Sequence, residues 1–201
     1  MKKNNEGYTL IELVIVIAIM AILSAMSFVT IGIIKQAQYN AAASTLSNQM
    51  GALLVKTKAI SEAKDKPLCM LIHRNNTLDD SDYPLTLKDG TVIRKNSYSL
   101  ILGYNDGTDF IVKSTGSPFS ESDLNTVVED VLPNIITIDY DSKDKVACGI
   151  AGLDESNNLI IEYNKSTGGV RYGAGDYKII YNDRTVATVK LDATTGNHYL
   201  K

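Results

Sequence analysis

The chain's 201 residues carry 20 Lys and Arg against 23 Asp and Glu, a net charge of −3 with an isoelectric point near 5.4. That size and balance suit one membrane segment plus one soluble domain and give no ground for nucleic-acid affinity. Two cysteines, Cys69 and Cys148, exclude a disulfide-dense scaffold and have no metal-ligand spacing.

Residues 1–7 form a short leader with Lys2 and Lys3. Positive charge stays on the cytoplasmic side of a membrane, so the remainder of the chain is expected to face outward. No charged side chain occurs from Leu13 to Ile34, and at about 1.5 Å per residue this run spans the ~30 Å of a bilayer's hydrocarbon core. One acid, Glu12, stands at its front edge. An acidic side chain costs about 2.5–3.5 kcal/mol at the centre of a spanning helix and less near its end, so Glu12 calls for a compensating cation. A cleavable secretory signal would have a shorter apolar core followed by small residues. The small run at Ala41, Ala42 and Ala43 lies well beyond the apolar segment, so ordinary signal cleavage is not expected.

No proline occurs between Met1 and Pro67, and a helix starting near Tyr8 is free to continue to about Lys64, on the order of 85 Å. Its outer part is amphipathic. Tyr39, Ala42, Leu46, Met50, Leu53 and Ile60 recur mostly at three- or four-residue steps, with Gln38, Asn40, Ser44, Asn48 and Lys56 on other faces.

After Pro67 the pattern changes to short apolar runs separated by Gly, Asn, Asp and Ser. Strands are expected at 68–73, 91–95, 98–104, 110–113, 135–140, 146–150, 159–163, 170–172, 177–181, 185–191 and 198–200, mostly in an antiparallel sheet. Residues 120–132 are expected to form a short helix, capped by Ser120 or Ser122 and stopped by Pro133. A small motif recurs at 113–116 and 165–168, with a looser copy at 194–196. Its Thr-Gly pairs suit tight hairpin turns, because glycine tolerates positive φ.

The run Gly7, Tyr8, Thr9, Leu10, Ile11, Glu12, Leu13, continuing through Val14 to Leu23 without a charge, resembles the N-terminus of a type IV pilin or pseudopilin. The likeness covers about the first fifth of the chain. It implies that a membrane aspartyl peptidase, the prepilin peptidase, cuts between Gly7 and Tyr8 and methylates the new Tyr8 amine. Cutting there removes Lys2, Lys3 and Glu6, leaving 18 basic and 22 acidic residues and a charge of −4. The resemblance further implies that Glu12 pairs with the Tyr8 amine of a neighbouring subunit as helices bundle into a filament. Such a pair sets register more than it adds net stability, since desolvation offsets attraction while a lone buried charge is expensive. Close approach of helices at Ala18, Ala21, Ser24, Ala25 and Gly32 would assist. Two features depart from the family's pattern: Tyr8 stands where phenylalanine is commonest, and no helix-breaking proline occurs near Val29.

Other readings stand beside these. Thr9 and Glu12 also fit a helix capping box, and capping and pairing can operate at different stages. Cys69 and Cys148 are either a disulfide closing a long loop, worth on the order of 4 kcal/mol, or two small core residues. Asp79, Asp80 and Asp82, like Asp139, Asp141 and Asp144, complete no EF-hand pattern and read as solvated loop acids. His73 and His198 lie in no catalytic motif, and no phosphate loop, nucleophile elbow or zinc pattern is present.

The expected fold class is therefore α+β, a long N-terminal helix packed on an antiparallel β domain. Its segments are a removed leader at 1–7, a membrane and assembly half of the helix at 8–34, an amphipathic half at 35–66 and an outer domain at 67–201. The expected function is structural rather than enzymatic, with no cofactor: a subunit of a type IV pilus, anchored in the cytoplasmic membrane as precursor and displayed on the cell surface once assembled. The resemblance implies other pilin copies, the peptidase, an assembly ATPase and a membrane platform protein as partners. A pseudopilin or minor pilin of a secretion or DNA-uptake system is the nearest alternative, and a single-pass anchored receptor or surface enzyme the more distant one. Motility and adhesion depend on exposed loops and are not legible in these motifs.

Overall fold

The computed structural model describes residues 9–59, 66–76, 83–141 and 157–201. Helix α1 runs without interruption over Leu10–Ala59. Its expected continuation to residue 64 lies outside the described residues, as does the expected strand at 146–150. The chain divides into two compact units, Met1–Gln38 and Tyr39–Lys201, with the boundary falling inside α1.

In the first unit every described side chain from Leu10 to Gln38 whose exposure is defined is exposed, including Leu10, Ile17, Met20 and Leu23. The helix is long and apolar enough to cross a membrane. Two of its hydroxyl side chains turn back onto the helix itself, Ser24 Oγ donating to the Met20 carbonyl at 2.7 Å and Thr30 Oγ1 to that of Met26 at 3.0 Å. A hydrophobic medium demands this, because it supplies no alternative partner.

The second unit is α+β. Its strands are β1 (Leu68–Arg74), β2 (Leu85–Thr86), β3 (Val92–Ile93), β4 (Tyr98–Asn105), β5 (Phe110–Val112), β6 (Val128–Leu132), β7 (Thr137–Asp141), β8 (Asn158–Tyr163), β9 (Val170–Tyr172), β10 (Gly175–Tyr181), β11 (Arg184–Leu191) and β12 (His198–Leu200). Among the described residues they form two principal antiparallel sheets. The larger has the order β5-β4-β1-β8-β9, with β6 sharing the far edge of β4, and the smaller has the order β12-β11-β10-β7. A two-stranded pair, β2 and β3, stands apart.

β1 is the central strand of the larger sheet and is buried on both faces, which explains why its sequence is a continuous apolar run rather than an alternation. Leu68, Met70 and Ile72 face a core shared with the outer part of α1 and the smaller sheet. The outer helix contributes Ala42, Ala43, Leu46, Met50 and Leu53 to that core, matching the stripe expected from sequence. Gln49 ties the helix to β6 through Asp130 at 3.2 Å, and β12 lies so close that a Cβ added at Gly51 would sit 3.1 Å from His198 Cε1. Cys69 and Leu71 face a second core with Ile93, Ile101, Phe110, Leu124 and Val127.

The expected helix at 120–132 is corrected by the structure. Glu121–Asp123 form a single 3-10 turn, α2 covers only Leu124–Val127, and Val128–Leu132 become β6, paired antiparallel with β4. Valines at 127, 128 and 131 favour extended backbone, and the open edge of β4 offers them partners. Neither Ser120 nor Asp123 makes a side-chain cap.

The recurrent Thr-Gly motif takes one conformation three times. Gly116, Gly168 and Gly196 have φ of 71°, 76° and 68°. Each donates its N–H to the carbonyl four residues back, in Val112, Asn164 and Asp192, at 2.7–3.0 Å. The preceding threonine hydroxyl accepts the N–H of the residue after each glycine at 3.1–3.3 Å. The second and third turns pack together, Val170 N–H reaching the Ala193 carbonyl at 2.8 Å, and a Cβ added at Gly196 would collide with the Gly168 carbonyl.

Candidate functional site

The start of α1 is built from Thr9 and Glu12. The Leu13 N–H reaches the Thr9 carbonyl at 3.3 Å, the first helical bond. The Thr9 N–H and hydroxyl both donate to Glu12 Oε2 at 2.8 Å, and the Glu12 N–H points back to Thr9 Oγ1 at 3.3 Å. This is the reciprocal capping box: two donors at the helix mouth are satisfied, and the carboxylate sits at the positive end of the peptide dipoles.

Both contacts from Thr9 fall on one carboxylate oxygen. Among the described residues Glu12 Oε1 accepts no hydrogen bond and no cation pairs with Glu12. A carboxylate has lone pairs for about four hydrogen bonds, so half of Glu12 is engaged in the helix cap and half is available to a second donor. Gly7 and Tyr8 lie outside the described residues. Gly32 faces open space, with nothing within 4 Å of an added Cβ.

The remaining sequence candidates are scattered over the domain. Cys69 is a buried free thiol whose Sγ reaches the Gly103 carbonyl at 3.6 Å, and burial together with the nearby Glu162 carboxylate pushes its pKa well up. Cys148, and with it the possible disulfide, lies outside the described residues. Of the two acidic groups, Asp79, Asp80, Asp82 and Asp144 also lie outside them, while Asp141 pairs with Lys178 at 3.0 Å. No cluster of three metal-ligating side chains occurs among the described residues.

Two buried polar clusters escaped sequence reading. His73 is completely buried. Its Nδ1 lies 2.8 Å from Asn158 Oδ1, its Nε2 lies 3.6 Å from Glu121 Oε1, and its ring meets Phe119 edge-on. Burial lowers its pKa, against the opposing pull of Asn158 and Glu121. Glu162, also fully buried, accepts from Asn105 Nδ2 at 3.0 Å and from Arg171 at 3.2 Å. Burial raises its pKa in spite of those two partners. Period-two alternation was the available signal, since both residues share the face of Cys69 and Leu71 along paired strands.

Residues 2–28 match the prokaryotic N-terminal methylation motif, which spans the leader, Thr9, Glu12 and the first half of the exposed apolar helix. No curated protein and no solved structure matches the chain. The chain therefore bears an N-terminal methylation signal of the type IV pilin-like kind at the head of a helix long and apolar enough to cross a membrane.

Proposed function

We propose that this protein is a structural subunit of an extracellular type IV pilus, cut between Gly7 and Tyr8, methylated on Tyr8 and polymerised through its N-terminal helix. The observation that carries the mechanism is the divided carboxylate of Glu12, Oε2 held by Thr9 and Oε1 without a donor among the described residues. Cleavage after Gly7 leaves the Thr9 N–H an ordinary peptide donor, so the capping box survives maturation. The new Tyr8 amine lies in the residue before that cap. In a bundle of copies, Oε1 of one subunit accepts this amine from its neighbour, which neutralises both charges in a medium where either alone is costly. Pairing fixes the axial offset of adjacent helices, and apolar contacts along the exposed face of residues 10–38 supply the remaining cohesion.

In this reading the peptidase, an assembly ATPase and a membrane platform protein perform the chemistry and the work, and this chain supplies the repeating part. Glu12→Ala tests it. The variant is expected to reach the membrane and to be trimmed to a mature mass lacking residues 1–7, yet to enter fibres at a small fraction of wild-type yield. Wild-type fibre yield refutes the pairing, and accumulation of untrimmed precursor assigns Glu12 to recognition by the peptidase instead. Immunogold label along whole fibres fits a major pilin. Sparse or tip-only label would make the chain a minor pilin or pseudopilin of a secretion or DNA-uptake system. An intact N-terminus in a processing-competent host would leave a simple membrane tether, as in an anchored receptor.

A further inference from the structure

Between the two principal sheets lies a partly open cavity of about 280 Å³. Its walls are mostly apolar: Ile72 and Leu159 from the larger sheet, Ile138 from β7, and the rings of Tyr98 and Tyr140. Arg74, the last residue of β1, supplies a wall along with Asn157.

The polar groups around the cavity are engaged, with one exception. Tyr98 Oη accepts the Ile138 N–H at 3.0 Å, Tyr140 Oη donates to the Ala174 carbonyl at 2.7 Å, and Asn157 Oδ1 accepts from Asn76 Nδ2 at 2.8 Å. The backbone of Arg74 is satisfied too, its N–H on the Asn157 carbonyl at 2.8 Å. Its guanidinium Nε is not. Nε is buried without a hydrogen-bond partner, and among the described residues Arg74 makes no ion pair. Lys178, half-buried on β10, does have a carboxylate, Asp141 at 3.0 Å. A guanidinium Nε shielded from water without an acceptor is unfavourable, and the planar fork of the group matches a carboxylate in two parallel hydrogen bonds.

We propose that this cavity binds a small organic monocarboxylate, its carboxylate on Arg74 and a single-ring or branched apolar body between Tyr98, Tyr140 and the aliphatic walls. The volume admits a body of about ten non-hydrogen atoms, at the lower end of small-molecule sites. One guanidinium balances one negative charge. With Asn157 neutral and no second cation among the described wall residues, a phosphate dianion is left under-compensated. The site shares no residue with the helix cap at Thr9 and Glu12.

Benzoate is the probe, titrated against the full-length chain in detergent micelles and followed by saturation-transfer NMR, with protein-free micelles as blank. Saturable binding is expected, weaker by about tenfold or more for uncharged benzamide and for Arg74→Gln, as loss of a charge-assisted pair implies. Leu159→Trp fills the cavity while leaving Arg74 in place. It keeps the test decisive if Arg74→Gln does not fold, and it should abolish saturation. Absence of saturable benzoate binding, equal binding of benzamide, or affinity unchanged in whichever variant folds overturns the site.

Discussion

Helix α1 is one continuous element with two kinds of apolar surface. Over residues 10–38 its described hydrophobic side chains are distributed around the whole circumference and are exposed, Ile17 at 58% and Met26 at 64%. Beyond Tyr39 the apolar residues narrow to a stripe, and Ala43, Leu46 and Met50 are completely buried. Apolar content is therefore no measure of burial within this domain. An all-round apolar helix is matched to lipid or to copies of itself, and a striped one to its own domain. The two halves should respond differently to the same chemical change.

The largest expected contrast comes from truncating one side chain in each half. Leu46→Ala removes a fully buried side chain from the core between α1 and the sheets, and should cost about 2–5 kcal/mol of domain stability. Ile17→Ala, in the exposed half, should change it by less than about 0.5 kcal/mol. The chain has 11 tyrosines and no tryptophan, so near-ultraviolet circular dichroism in micelles reports domain unfolding for both variants. Equal losses would mean that the exposed half is stabilised by the domain after all, and the contrast would fail.

That contrast was legible in sequence because it rests on periodicity and charge, which are local. Tyr39, Ala42, Leu46, Met50 and Leu53 declare their face through spacing alone, and Glu12 declares itself by interrupting an apolar run. What was not legible depended on tertiary partners. Residues 128–132 took strand rather than helix because β4 had an edge to offer. The split of the strands into two sheets, and the cavity between them, follow from pairings that no local pattern encodes. Arg74 ends an apolar strand and reads in isolation as a solvated terminus. Only the parting of the sheets leaves its Nε buried without an acceptor among the described residues. The division of the Glu12 carboxylate likewise needed coordinates, although Thr9 and Glu12 were recognisable as a capping box.

A second, smaller contrast concerns charge inside the domain, where the membrane half of the helix has no counterpart. His73 and Glu162 are buried on the same face of the larger sheet and titrate in opposite senses. The lowered pKa of His73 means that the unfolded chain binds the extra proton, so stability is lost as pH falls below about 6.5. Glu121 is the carboxylate facing it. The raised pKa of Glu162, beside Arg171, means that the folded chain holds the extra proton, so stability is lost as pH rises above about 4.5. The two slopes have opposite signs, that of Glu162 starting near pH 4.5 and extending upward, that of His73 starting near pH 6.5 and extending downward. Glu162→Gln should unmask stability that rises with pH toward 6.5, and His73→Gln stability that falls as pH rises from 4.5. Urea unfolding at half-unit pH steps measures both, and parallel profiles for the two variants would refute the assignment. Asp89, Asp106 and Asp192, whose pKa values are lowered chiefly by backbone hydrogen bonds, act only below about pH 3.8.

The smallest expected effect lies at the helix mouth, where the exposed half begins. Thr9→Ala deletes the hydroxyl that donates to Glu12 Oε2 and accepts the Glu12 N–H, but keeps the backbone donor of Thr9 on that oxygen. Loss of such a cap costs about 0.5–2 kcal/mol, confined to the first turn. Amide exchange at Leu10 to Leu13 should accelerate accordingly, by about twofold to thirtyfold. The unfolding of residues 68–201 should not move. Since Glu12 Oε1 is untouched, fibre yield should fall far less than in Glu12→Ala. A Thr9→Ala strain as deficient in fibres as Glu12→Ala would mean that the cap itself, rather than the second oxygen, is what assembly requires.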